Sequence, residues 1–102
     1  LPEPSDPRER VRLEAGRVAM RLAALGPRRV PDDLLNHACA DLAQLAWAAE
    51  RLPGAPPPIL VPKHGWPDVV KVLTGDLLAV PGEVGELAPA ADRLTRLRRE
   101  LP

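Results

Sequence analysis

The 102-residue chain has neither tyrosine nor phenylalanine, and its only aromatic residues are Trp47 and Trp66. A core without rings must be filled by Leu, Val and Ala, which suits helices packed close together. Cys39 is the single cysteine, so no internal disulfide can form, and it reads as a small buried hydrophobe. Ser5 is the single serine and reads as a helix cap, while Thr74 and Thr95 fall within helical stretches. Nucleophilic hydrolysis therefore has no triad to work with. The glycines form neither a G-x-G-x-x-G turn nor a Walker-type loop, so no phosphate cradle is visible. These gaps point away from an enzyme and from a bound cofactor.

Net charge is also missing: 14 basic residues balance 14 acidic ones. No overall field draws the chain to nucleic acid or to an anionic membrane. No apolar run approaches the roughly 18 residues of a membrane span, and no signal-peptide pattern opens the chain. Cytoplasmic is the default expectation, although the first residue is Leu1 rather than Met. Lysine is confined to Lys63 and Lys71 and isoleucine to Ile59, while Arg, Ala, Pro and Leu abound. That bias is the one expected of a high-GC bacterium.

What the chain does have is helical periodicity, punctuated by Pro and Gly. Val11, Ala15, Val18, Leu22 and Leu25 recur at spacings of four and three and predict a first helix over 6–25. Gly26-Pro27 ends it. Pro31-Asp32-Asp33 opens a second helix over 31–52, with two carboxylates at the positive end of its dipole. Its main stripe is Leu35, Ala38, Leu42, Leu45, Ala49 and Leu52. Trp66, Val69, Val70, Leu73, Leu77 and Val80 share a face of a third helix over 66–80. A fourth spans 83–101, clearest from Pro89 onward, where Ala90, Ala91, Leu94, Leu97 and Leu101 form a stripe. Arg93, Arg96, Arg98 and Arg99 surround that stripe and read as a solvated face.

The segment 53–64 is Pro-rich, and Pro56-Pro57-Pro58 favours an extended polyproline path. Ile59-Leu60-Val61 has no partner strand, so it reads as an extended crossing. The expected architecture is all-α: one four-helix bundle-like domain, made of two helical hairpins joined by this Pro-rich crossover.

Two features bear on function. First, helices 1 and 2 each carry a second apolar face. Leu13, Met20 and Ala24 lie opposite the main stripe of helix 1, with Gly16 and Ala23 at the border where another helix could approach. On helix 2, Trp47 points away from the main stripe, near Ala40 and Ala43. These faces predict a non-enzymatic interaction module, either a homodimer about a two-fold axis or a subunit docked on another protein. The competing account folds the chain before Ser5 and the strap 53–63 over both patches.

Second, Asp33, His37 and Asp41 line one side of helix 2. The alternative function is a small-ligand or metal-binding protein, its pocket lying between helix 2 and the strap. His37, Cys39, Asp41, His64 and Trp66 are its candidate residues. Three ligands strung over two turns of one helix rarely converge on one ion, so a solvated polar edge is the plainer reading. The stripe of Arg10, Arg17 and Arg21 could contact phosphates. With Glu14 inside it and no interleaved aromatics, it too reads as a salt-bridged face rather than a nucleic-acid surface. If His37 stands on a solvated edge, His37→Gln should change stability by less than about 0.5 kcal/mol in a denaturant titration. A stoichiometric metal that copurifies and is lost on this substitution would reverse that reading.

Overall fold

The computed structural model describes residues 6–56, 65–80 and 87–102. Within them lie four helices: α1 (Pro7–Leu25), α2 (Asp32–Ala49), α3 (Trp66–Ala79) and α4 (Leu87–Glu100), with a 3-10 turn at Pro27–Arg29. No strand occurs among the described residues. The all-α four-helix expectation agrees with this architecture. The expected cap Ser5, most of the strap and the expected first turn of the last helix at 83–86 lie outside the described residues.

Each helix end has a local cause. Asp6 caps α1, its carboxylate accepting from the Arg8 amide at 3.0 Å. Pro7 follows in the first turn, where its missing N–H costs nothing. Pro89 is tolerated for the same reason: it is the third residue of α4, ahead of the first amide that needs an intrahelical acceptor. Helix α2 stops three residues earlier than its apolar pattern suggests. Arg51 takes a left-handed conformation (φ 57°). The Leu52 amide then bonds the Trp47 carbonyl at 3.1 Å, and the Arg51 amide bonds that of Ala48 at 3.0 Å. This is the Schellman closure, usually built on glycine. It swings Leu52 off the stripe, where the residue is 41% exposed instead of buried.

The buried stripe of α1 is the expected one, Val11, Ala15, Val18, Leu22 and Leu25. On α2 the core face is Leu35, Ala38, Cys39, Leu42, Ala43, Ala46 and Ala49, with Leu45 half-buried. Ala43, expected beside Trp47 on a second face, thus belongs to the core, while Ala40 is exposed. Trp66, Val70 and Leu77 from α3 and Leu94 and Leu97 from α4 belong to the same continuous cluster as the α1 and α2 stripes.

The short connections predict close packing within each hairpin, but the main contacts run between hairpins. Helix α1 packs on α3 and α4, and α2 packs on the same two. The consecutive pairs α1–α2 and α3–α4 scarcely meet. With extents of 39 × 38 × 17 Å, the molecule is two helices thick. One layer is α1 and α2; the other is α3 and α4. The turn between α1 and α2 allows this spacing. Gly26 leaves the helix at φ 76° and ψ 163°, and Val30 and Pro31 are extended, so the chain steps sideways instead of folding straight back.

A side chain also locks the layers. Arg8 at the start of α1 donates to the Leu78 carbonyl at 2.7 Å and the Val80 carbonyl at 2.6 Å. It places a cation at the negative end of α3 and satisfies carbonyls that have no helical partner.

The left-handed Arg51 suggests a direct test of the α2 terminus. Arg51→Gly should raise unfolding free energy by about 0.5–1 kcal/mol, the relief of the left-handed strain less the extra chain entropy of glycine. Chemical denaturation would measure it, and a destabilised variant would show that the Arg51 side chain contributes more than its backbone costs.

Candidate functional site

The outer face of α1 has the largest exposed side chain of the described apolar residues. Met20 is 76% exposed and Leu13 is 37% exposed. They are seven residues apart, two helical turns, and so share a face directly opposite the Val11–Val18–Leu22 stripe. Gly16, Ala23 and Ala24 are exposed around them. A Cβ built on Gly16 meets nothing within 4 Å, so no packing among the described residues requires glycine there. The sequence-derived residues Leu13, Gly16, Met20 and Ala24 are therefore brought together on one open face.

Trp47 does not join them. It sits on α2, half-buried, and its indole Nε1 donates to the Pro53 carbonyl at 2.9 Å. The beginning of the strap thus engages this ring, as the competing account of the sequence anticipates for this patch.

Arginines border the α1 face. Arg12 pairs with Glu9 at 2.6 Å, and Arg21 donates to the Pro102 carbonyl. Arg17 pairs at 3.0 Å with Glu14, a carboxylate on the core side of the helix that is only 4% exposed. Arg98 reaches the same carboxylate from α4, with Nε at 2.7 Å from Oε2 and Nη2 at 3.3 Å from Oε1. Burial pushes the Glu14 carboxyl up. The hydrogen bonds and charges of Arg98 and Arg17 together outweigh it and hold the group below its ordinary value.

Arg93 is a correction to the solvated face expected of the last helix. It is 8% exposed, and its Nε donates to Asp41 Oδ2 at 2.7 Å, joining α4 to α2. Its Nη1 is buried without a hydrogen-bond partner, 4.0 Å from a Glu100 carboxylate oxygen. A charged residue interrupting an apolar stripe was the available signal for both buried pairs, and Glu14 carried it openly. Arg93 was hidden by the abundance of arginines around it.

The ligand candidates scatter. His37 is exposed, Cys39 is fully within the core, Asp41 is bonded to Arg93, and His64 lies outside the described residues. Burial pushes the Cys39 thiol up to about 12, although the charge of Arg93 opposes it. At neutral pH it stays a protonated thiol, the less nucleophilic form. Trp66 is buried and lines an apolar cavity of about 130 Å³ with Leu22, Pro27, Val30, Leu35 and Pro67. This cavity sits where the end of α1 meets the starts of α2 and α3; the expected pocket against the strap falls largely on residues outside the described ones. Among the described residues, no three His, Cys, Asp or Glu side chains cluster to hold a metal ion, and no helix is long and apolar enough to cross a membrane.

No protein-family model matches the chain, and no curated protein or solved structure shows significant similarity to it.

The Glu14 cluster makes stability depend on acid. A carboxyl whose folded pKa lies below its unfolded value of about 4.3 contributes stability above that pH and loses the contribution as pH falls through the folded value. Unfolding free energy should therefore decline below about pH 4.5, and Glu14→Gln should flatten that decline. At neutral pH the substitution should cost about 2 kcal/mol. That is less than for a fully buried pair, because Arg17 and Arg98 are 41% and 32% exposed. Denaturant titrations at several pH values give both quantities, and identical acid profiles for the two proteins would refute the assignment.

Proposed function

We propose that this protein is a non-enzymatic helical interaction module that self-associates through the outer face of α1. The observation that carries the reading is the pair Met20 and Leu13, 76% and 37% exposed on a helix whose opposite face already closes the core. Apolar surface left in water is disfavoured by about 25 cal/mol per Å², and a second chain seated on the patch would remove that cost. Exposed Gly16 supports the same reading. A mid-helix glycine costs roughly 1 kcal/mol relative to alanine, and nothing among the described residues offsets it here. A closely approaching second helix would.

A second reading, a small-ligand protein, draws on the cavity at Trp66. Its lining is mostly apolar, so it would take a small apolar group with little to fix its orientation. Self-association is the better supported of the two, because it accounts for surface features that the described residues leave unexplained.

Size exclusion with light scattering, at tens of micromolar, should give a mass above that of the 11.0 kDa monomer. Met20→Glu should give a folded monomer, since it sets a charge in the contact without touching the Val11–Val18–Leu22 core. A monomeric unaltered protein would end the proposal. So would a variant that unfolds, because Met20 would then belong to the chain's own packing.

A further inference from the structure

A second face of the molecule matches the outer face of α1. Helix α3 turns Val72, 61% exposed, away from the core, with Gly75 and Ala79 exposed beside it. A Cβ on Gly75 also meets nothing within 4 Å. The spacing is the same on both helices. Leu13, Gly16 and Met20 stand at i, i+3 and i+7, as do Val72, Gly75 and Ala79. Each face thus offers an apolar ridge with a gap at its glycine, the pattern by which two helices interdigitate.

The charges around the two faces are opposite. Arg12, Arg17 and Arg21 stand around the α1 face against Glu9, while Asp68 and Asp76 flank the α3 face against Lys71. With Glu14, the partner of Arg17, included, the α1 rim keeps a formal excess of one positive charge and the α3 rim an excess of one negative charge. Pairing α1 with α1 of a second copy would bring like rims together; pairing α1 with α3 brings unlike ones. The two faces cannot meet within one chain. Helices α1 and α3 pack on each other through their core sides, and these faces point outward in opposite directions.

Resting on the self-association reading above, the geometry points to a head-to-tail contact in which the α1 face of one copy docks on the α3 face of the next. Such a contact uses two different patches and leaves one of each open at the ends. Assembly therefore continues beyond a dimer until it closes as a ring or extends as a fibre.

Light scattering on two blocked variants tests this. Met20→Glu closes the α1 face and Val72→Glu closes the α3 face. Each alone should be a folded monomer by circular dichroism and mass. Mixed in equal amounts they should form a 1:1 dimer and nothing larger, because each supplies the face the other lacks. The unaltered protein should instead grow in mean mass with concentration, and should shrink as salt screens the rims. Should the Val72→Glu variant fail to fold, Gly75→Arg blocks the same face from a position with open space around it among the described residues; a Met20→Glu protein that unfolds would overturn both readings. Association of the Val72→Glu protein with itself would overturn the head-to-tail contact while leaving self-association through α1 intact. Two monomeric variants that stay monomeric when mixed would overturn it as well, and so would association indifferent to salt. An unaltered protein that is monomeric throughout would overturn both readings.

Discussion

Helix α1 must neutralise a carboxylate on its core side, and that requirement ties it to the opposite layer. Glu14 is 4% exposed, and an unpaired charge at such a position would cost several kcal/mol. Arg98 from α4 meets it in a bidentate fashion, and Arg17 closes the arrangement from the same helix. The geometry fixes the register of α1 against α4. Arg10 adds a second cross-link to α4 through Asp92 at 2.7 Å, and Arg8 binds the terminal carbonyls of α3. Helix α1 is thus held by directional contacts to both helices of the other layer. Apolar stripes alone would tolerate sliding by a turn; these arginines do not.

The near absence of aromatics has a structural consequence of its own. The largest fully buried side chains are leucines and valines, and α2 lays down Ala38, Ala43, Ala46 and Ala49 on its core side. Small residues let helix axes come close, so a chain of this size can still reach normal interior density. The same economy leaves little large apolar surface outside. The two most exposed large apolar groups among the described residues, Met20 and Val72, each have an exposed mid-helix glycine nearby. Both features are unfavourable for an isolated helix and favourable for a docked one, which is why surface rather than chemistry carries the functional reading.

Three of the candidate ligand side chains serve the fold. Cys39 is deep in the core as a protonated thiol, Asp41 balances Arg93 across the α2–α4 seam, and Trp66 fills the junction at one end of the layers. Proximity along one helix placed these groups together in the sequence. In space, a separation of two residues turns His37 outward and Cys39 inward.

The sequence alone determined the helices and their inward faces. The period of Val11, Ala15, Val18, Leu22 and Leu25 is a local property, and so are the Pro and Gly breaks between segments. Leu13, Gly16, Met20 and Ala24 were legible as an outer face for the same reason, since residues spaced by three, four or seven share a side whatever the helix packs against. Helix ends were less legible where a backbone motif overrode the pattern, as Arg51 did by reversing the chain before Leu52. Only the tertiary structure decided which helices are neighbours. Short loops permit adjacency without requiring it, and the sideways exit at Gly26 left α2 with little contact to α1. It also decided which arginines are buried. Arg93 and Arg96 look alike in sequence, but only Arg93 faces α2, where Asp41 stands within 2.7 Å to receive it. Charge partners 52 residues apart leave no trace in periodicity, because their pairing exists only after the layers have closed.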